Sequence, residues 1–196
     1  MSWIIVGLGN PGEDYASTRH NAGRMELEHF AHSRGFGELK ETKKNNAHAA
    51  SGAIGKTLIA LVAPDTYVNK SGSAVGKYVK STKAAEKLVV LYDDLDLALG
   101  TMKISFDRGS GGHKGLESVI RAVKTKKFTR IRIGVSPSTS SGKLKKPSGE
   151  KDVLDFILAK FKPAEMELLK RVFKRADAAL EAIVTTGYVK AMNEFN

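Results

Sequence analysis

Residues 3–23 read WIIVGLGNPGEDYASTRHNAG, and this stretch decides how the rest of the chain is arranged. Its first four residues are apolar, too few for a helix and mostly β-branched, which predicts a buried strand. The glycines and the proline of GLGNPG at 7–12 then end the strand in a turn. Polar side chains follow at once, and open α/β folds bind their ligands at this end of their strands. The stretch therefore predicts a buried strand with a functional site just beyond it.

The same turn fits G-x-G-x-x-G, the fingerprint of dinucleotide-binding loops. That motif needs a helix starting in the loop and a second strand that ends in an acidic residue about 20 positions later. Residues 24–46 instead read as a helix followed by a charged loop, and Pro11 has no N–H to offer a phosphate. A nicotinamide enzyme is therefore a distant alternative.

Strand and helix patterns alternate along the rest of the chain, which predicts a single α/β domain over residues 1–196, with a mixed, twisted sheet flanked by helices. Basic and apolar residues alternate at 130–135, so we expect that strand to have one exposed basic face. The segment 136–151 is rich in Ser, Gly, Pro and Lys, which indicates a mobile basic loop. We predict strands at 3–6, 47–54, 57–63, 87–92, 101–106 and 130–135, and helices at 24–34, 71–80, 116–123, 153–158 and 163–186.

The positive charge is distributed unevenly. The net charge is +11, but residues 1–100 hold 12 basic against 11 acidic side chains, whereas residues 101–196 hold 20 against 10. Such asymmetry indicates a polyanionic partner, most simply nucleic acid. Aromatic residues are only 7% and do not interleave with the basic ones, so a base-stacking platform is not indicated. The chain has no Cys, which excludes disulfides and a cysteine nucleophile.

No apolar run approaches the length of a membrane span, and the first strand begins almost at residue 1. We therefore expect no secretory signal, no membrane partner and a cytoplasmic protein, with a mitochondrial location left open. A long basic face leaves little apolar surface for self-association, so we expect a monomer.

Polar residues follow the predicted strands that end near residues 6, 63 and 92. They are Asn10 and His20, then Asn69, then Asp93. If these strand ends converge, His20 and Asp93 can form a general base and the carboxylate that orients it. No activated nucleophile accompanies them, which favours attack by water over a covalent intermediate.

The residues alone leave other interpretations open. His20 near a helix start can be a cap or a surface residue, and carboxylates at 93, 94 and 96 can cap a turn or bind a divalent cation. The glycine-rich loop at 109–115 adds His113 and Lys114 and can cradle a phosphate through its N–H groups. It lacks the spacing of a P-loop, so an ATPase is a poor interpretation.

Taken together, the polar blocks resemble those of the bacterial-type peptidyl-tRNA hydrolases. They match in order across nearly the whole chain, which is more specific than any single motif. The blocks are VGLGNPG at 6–12, TRHNAG at 18–23, PDTYVNKSG at 64–72, YDDLDL at 92–97 and GSGGHKGLES at 109–118.

This resemblance implies hydrolysis of the ester between a peptide and the 3′ ribose of tRNA, with tRNA as the partner and no metal or organic cofactor. His20 would activate water and Asp93 would be its partner. Asn10 would sense the peptide character of the substrate, and Asn69 would hold the scissile region or the terminal nucleotide. Other substrate-binding positions would be Tyr15, Tyr67 and Lys114, and contacts to tRNA phosphates would come from Lys103, Arg108 and Arg132.

The sequence departs from the family pattern at several positions. Lys114 stands where bacterial members have Asn, Ser105 where they have a basic residue, and Val68 where they have Met. A lysine can donate a hydrogen bond but cannot accept one. The basic loop at 136–151 is longer than usual, which suggests a eukaryotic member of the family.

An RNA-binding protein of the same fold without hydrolase activity is the second hypothesis, since one branch of the family serves in RNA splicing. The presence of Asn10, His20, Asn69 and Asp93 argues against it, because a pure binder needs no base with a carboxylate partner. Only Lys114 favours it.

Overall fold

The strand predicted at residues 3–6 lies at the centre of a mixed seven-stranded sheet in the computed structural model, which describes residues 2–196. The sheet has the strand order β2-β3-β4-β1-β5-β7-β6. Its strands are β1 (Trp3–Gly7), β2 (Lys40–Thr42), β3 (Ala47–Ile54), β4 (Thr57–Pro64), β5 (Leu88–Ala98), β6 (Met102–Phe106) and β7 (Thr129–Ser136).

The central strands β4, β1, β5 and β7 run parallel to one another. Antiparallel strands flank them, with β3 and β2 on one side and β6 on the other. Parallel strands are buried on both faces, which explains why β1 and residues 88–92 of β5 are continuous apolar runs in the sequence. Because the carboxyl ends of the parallel strands meet at one edge of the sheet, the polar residues that follow them converge there.

Helices cover both faces of the sheet and enclose two apolar cores. α1, α6 and α7 pack on one face, and α2, α3 and α4 pack on the other, which confirms the predicted single-domain α/β fold. Among residues 2–196, no helix is both long and apolar enough to cross a bilayer. The helices are α1 (Ala22–Ser33), α2 (Ser71–Tyr78), α3 (Thr82–Ala85), α4 (Lys114–Val123), α5 (Glu150–Leu158), α6 (Pro163–Thr186) and α7 (Tyr188–Phe195).

The strand predicted at 87–92 is longer than expected. β5 continues to Ala98, because Asp93 and Asp94 pair with Ile133 and Gly134 of β7. Asp93 therefore lies within a strand, not beyond its end, and its backbone is held by pairing with β7.

Three helices also differ from expectation. α5 begins at Glu150, so the end of the segment predicted as a loop is helical, and neither α3 nor α7 was predicted. The rest of that segment contains a backbone hydrogen bond of 2.9 Å from Thr139 N to the Lys143 carbonyl. Its mobility stays a prediction.

We expected β7 to have an exposed basic face. This prediction is wrong at Arg130, which is 0% exposed. β7 is an internal strand between β5 and β6, so Arg130 is covered instead of solvated. Its guanidinium lies 4.5 Å from the centre of the Phe128 ring, and its Nη2 donates to the Lys126 carbonyl at 3.4 Å. Arg132, two residues further along, is half-buried.

Candidate active site

A buried carboxylate between two imidazoles forms the centre of the site. Asp93 comes from β5, His20 from a short 3₁₀ turn just before α1, and His113 from the N-cap position of α4. The His20 Nδ1 atom lies 3.0 Å from Asp93 Oδ1 and 3.1 Å from Asp93 Oδ2. The His113 Nε2 atom lies 3.0 Å from the same Oδ1. The structure therefore brings together the two residues that the sequence singled out as base and orienting acid.

The hydrogen bonds define the proton positions on both imidazoles. The N–H of Leu116 donates to His113 Nδ1 at 3.0 Å, so His113 carries its proton on Nε2 and donates it to Asp93. Because a carboxylate only accepts, His20 must donate its Nδ1–H to Asp93 as well. His20 Nε2 is left as an unprotonated acceptor, which is the form that a general base needs.

The same contacts shift the pKa values of the pair in opposite directions. Burial alone would raise the pKa of Asp93, but the charges and hydrogen bonds of His20 and His113 more than offset this and hold it well below its usual range. Burial alone would lower the pKa of His20, but the Asp93 charge and hydrogen bond outweigh it and raise that pKa above 6.5. Asp93 thus stays ionised, and His20 is a stronger base than a free imidazole.

The chain around His20 is anchored to a segment that lies about 140 residues further along the sequence. Arg19 is buried and both carboxylate oxygens of Glu165 accept from its Nη2 at 2.9 Å. Its Nη1 donates to the carbonyl of Lys160 at 3.1 Å, and its guanidinium lies 4.6 Å from the Phe156 ring centre. These contacts attach the 3₁₀ turn to α5 and α6, so His20 has little freedom to move away from Asp93.

Asn10 is positioned by a pair of contacts with Asn21. The Asn10 N–H donates to Asn21 Oδ1 at 2.8 Å, and Asn21 Nδ2 donates back to the Asn10 carbonyl at 2.9 Å. The Asn10 Oδ1 atom then accepts the N–H of Val68 at 2.9 Å, which joins the loop after β1 to the loop after β4. Within residues 2–196, Asn10 Nδ2 has no hydrogen-bond partner, so the side chain can offer a ligand a donor.

The aromatic residues and Asn69 lie around this junction. The Tyr15 and Tyr67 rings meet edge to face with centres 6.4 Å apart, and Tyr67 is 59% exposed. Asn69 is exposed on the turn that follows Val68. Within the described residues 2–196, no hydrogen bond joins Asn69 to His20 or Asp93.

A cleft of about 730 Å³ opens beside Asp93 and His113. Three of the predicted basic residues line it, namely Arg108, Lys114 and Arg132. Lys114 is 70% exposed and forms an ion pair of 2.9 Å with Glu150. Lys103 does not line the cleft, although it pairs across the strands with Arg132. The cleft thus runs from Asp93 and His113 past basic side chains, most of which are paired with a carboxylate.

Arg132 is not free to bind a ligand without a change of partner. Its Nε donates to Asp94 Oδ2 at 2.7 Å, and Asp96 forms an ion pair of 2.7 Å with Lys146. Asp94 and Asp96 are therefore neutralised by side chains, which contradicts the interpretation of 93, 94 and 96 as a cation site. His20, Asp93 and His113 offer ligand atoms within 4.8 Å of one another and are the set in this cleft that could hold a metal ion.

The loop after β1 does not have the geometry of a dinucleotide site. It leads to a 3₁₀ turn at Glu13–Tyr15, and α1 begins only at Ala22. A phosphate-binding helix N-terminus is therefore missing at this position, which contradicts the fingerprint interpretation of residues 7–12.

Two residues at the site received no role from the sequence. His113 was part of the glycine-rich loop, and Asn21 was part of the polar block TRHNAG at 18–23, with no role of its own. A histidine just before a predicted helix can cap it, as His113 does. The contact of Asn21 with Asn10 could not be predicted from the sequence, because Asn10 lies in a loop without regular periodicity.

Comparison with known proteins gives a consistent result. The family model described as Peptidyl-tRNA hydrolase matches residues 4–196. A peptidyl-tRNA hydrolase from Chloroflexus aggregans is 39% identical over 99% of this chain and 98% of its own length. One from Aquifex aeolicus is 35% identical over 98% of this chain and 95% of its own length.

Solved structures agree with the sequence comparison. A crystal structure of peptidyl-tRNA hydrolase in complex with N-propanol matches with a TM-score of 0.88 at 32% identity, and covers 100% of this chain and 94% of that one. The enzyme from Acinetobacter baumannii matches with a TM-score of 0.87 at 31% identity and the same coverage.

We predict that Asp93→Asn lowers the pKa of His20 by about 1 unit or more, because the neutral amide removes the charge that opposes desolvation. The measurement is an NMR titration of the His20 ring. Asp94→Asn is the matched control: it removes a neighbouring carboxylate that pairs with Arg132, and it should leave the His20 titration nearly unchanged. Equal titration curves for His20 in wild type and Asp93→Asn would contradict the assignment.

Proposed function

The chain belongs to the peptidyl-tRNA hydrolase family, and we propose that it hydrolyses the ester bond of peptidyl-tRNA with a water molecule activated by His20. The observation that carries this mechanism is the contact of 3.0 Å between His20 Nδ1 and Asp93 Oδ1. The contact holds the imidazole in the tautomer whose Nε2 accepts a proton, and Asp93 itself lines the cleft.

In the proposed reaction, His20 Nε2 removes a proton from water while the oxygen attacks the ester carbonyl. The resulting imidazolium is stabilised by Asp93, whose carboxylate stays ionised. The bond from the carbonyl carbon to the 3′ oxygen of the ribose then breaks, and the imidazolium returns the proton to that oxygen. The products are free tRNA and a peptide carboxylic acid, which then releases its remaining proton to solvent as it ionises. No covalent intermediate is needed, since no serine or threonine hydroxyl is paired with His20.

Asn10 is the proposed reader of the peptide. Because its Oδ1 already accepts from Val68 N, the side chain turns Nδ2 towards any ligand. An N–H donor suits the carbonyl oxygen of a blocked amino group and cannot bind the ammonium of a free aminoacyl ester. This offers a physical basis for preferring peptidyl-tRNA over aminoacyl-tRNA. Asn69, Tyr15 and Tyr67 are proposed to contact the terminal nucleotide.

The tRNA body is proposed to follow the cleft. Arg108, Lys114 and Arg132 line it, with Lys103 on the neighbouring strand. Residues 101–196 hold 20 basic against 10 acidic side chains, which agrees with phosphate contacts from this half of the chain. Lys114 would serve as a hydrogen-bond donor in place of the Asn that bacterial members have. Its ion pair with Glu150 would first have to break, so that Lys114 can contact the substrate.

The alternative of an inactive RNA-binding protein is not favoured. The relatives are hydrolases, and the base and its carboxylate are in contact here. A eukaryotic origin rests on the long basic loop alone, and the relatives described above are bacterial. A monomeric state and a location in the cytoplasm or mitochondrion stay part of the proposal.

We predict that His20→Ala lowers kcat for release of N-acetyl-amino acid from N-acetyl-aminoacyl-tRNA by about 10²- to 10⁴-fold, because the general base is removed. His32→Ala is the matched control, since His32 is exposed on α1 away from the cleft and should leave turnover unchanged. A wild-type protein that binds tRNA but releases nothing would favour the RNA-binding alternative.

A second prediction concerns the phosphate contact. Arg132→Gln should raise KM for the tRNA substrate several-fold with little change in kcat, and should reduce the salt dependence of binding by about one unit of slope. Removing Arg132 also leaves Asp94 unpaired, so Arg132→Gln combined with Asp94→Asn is measured alongside. The raised KM should persist in the double variant. If KM of the double variant returns to the wild-type value, the rise in KM came from the unpaired Asp94 carboxylate, and the proposed contact of Arg132 with a phosphate is refuted.

A further inference from the structure

A second group of titratable side chains lies between α1 and α6, outside the cleft. It consists of Glu26 and His29 on α1 and Asp177 on α6, and each offers a ligand atom within 4.8 Å of the others. Glu26 is 0% exposed and Asp177 is buried, whereas about a third of the His29 side chain is exposed. The proposed hydrolase reaction uses none of the three.

Among the residues that the structure describes, the two carboxyl groups of this cluster have few hydrogen-bond donors and no positively charged side chain of Lys or Arg to stabilise a buried negative charge. Both oxygens of Glu26 are buried and have no hydrogen-bond partner. Asp177 accepts from Ser33 Oγ at 2.6 Å and contacts His29 Nδ1 at 3.3 Å. Within residues 2–196, no lysine or arginine pairs with Glu26 or Asp177. Burial raises the pKa of Glu26 well above its usual range, and the charge of Asp177 and the contact between the two carboxyl groups add to the rise. Two carboxyl groups this close and this buried do not both stay ionised by themselves, so they hold either a shared proton or a cation between them.

The spacing of the three residues fits a metal ion. Glu26 and His29 are separated by three positions on α1, the Glu-x-x-His arrangement that puts a carboxylate and an imidazole on one helix face in helical metal sites. Asp177 completes the set from the facing helix. Ligand atoms at about 2.0–2.1 Å from a tetrahedral Zn²⁺ lie roughly 3.3 Å apart, which matches the 3.3 Å between His29 Nδ1 and Asp177 Oδ1.

The surroundings also resemble those of metal ligands. Ser33 donates to the second oxygen of Asp177 and thereby orients it, as hydrogen bonds around ligands commonly do. The ring of His29 packs against Phe173, with centres 5.6 Å apart, so its rotation is restricted. The group reaches the surface through the His29 side chain, of which about a third is exposed.

We propose that Glu26, His29 and Asp177 form a binding site for a divalent first-row transition metal, with Zn²⁺ as the best match to one imidazole and two carboxylates. The ion cross-links α1 to α6. Its role is structural, because α1 begins directly after the turn that carries His20, and α6 holds the Glu165 that anchors Arg19. The competing occupant is a single proton shared by Glu26 and Asp177.

The test uses the full chain freed of metal with a chelator. Co²⁺ titration should give visible ligand-field bands of a low-symmetry site that saturate at one equivalent per chain. Zn²⁺ at about 100 times its Kd should raise Tm by roughly 5–10 °C. His29→Gln and Glu26→Gln should each weaken Co²⁺ binding at least tenfold. His32→Gln, on the exposed side of the same helix, should bind like wild type.

A double variant separates this site from the cleft. Because His20, Asp93 and His113 could also hold an ion, His20→Asn combined with His113→Asn should retain the Co²⁺ bands and the Zn²⁺-induced rise in Tm. Loss of binding in that variant, with retention in Glu26→Gln and His29→Gln, would assign the metal to the cleft and overturn the proposal. Absence of stoichiometric binding, together with a higher Tm for metal-free Glu26→Gln, would identify the shared proton instead.

Discussion

The buried carboxylate of Asp93 is the constraint on which the arrangement of this protein depends. A charge in the interior is stable only where donors surround it, and here both donors are imidazoles, from the turn before α1 and from the start of α4. Those two segments lie on either side of β5 in space but are far apart in sequence. The hydrogen bonds that this one carboxylate accepts therefore connect the central strand, the turn before α1 and the glycine-rich loop. The same hydrogen bonds make His20 a base at the functional edge.

Close packing makes that convergence possible. A Cβ atom on Gly23 would lie 2.2 Å from the Leu91 carbonyl oxygen, so only glycine lets α1 start against β5 with His20 beside Asp93. At the start of α4, a Cβ atom on Gly115 would lie 2.3 Å from Val68 Cγ1. Side chains here would push His113 and the loop after β4 away from the centre. The geometry of the site thus depends on close packing at two glycines that have no functional side chain of their own.

The sequence predicts the parts of this structure that depend on local pattern. Apolar runs located β1, β4 and the start of β5, and the ends of these strands indicated where polar residues would gather. Contacts between distant segments were not predictable in this way. The burial of Arg130 depends on β7 being an internal strand, and the extension of β5 depends on its pairing with Ile133 and Gly134. The proximity of Glu26 to Asp177 likewise follows from the packing of α1 on α6, which no periodicity reveals.

The central claim is that Asp93 holds His20 with its proton on Nδ1 and its Nε2 free to accept one. ¹⁵N NMR of the His20 ring, at a pH above its raised pKa, tests this most directly, because protonated and unprotonated ring nitrogens have distinct shifts and couplings. The account predicts a protonated Nδ1 and an unprotonated Nε2 in the wild-type protein. A protonated Nε2, or an even mixture of the two tautomers, would contradict it.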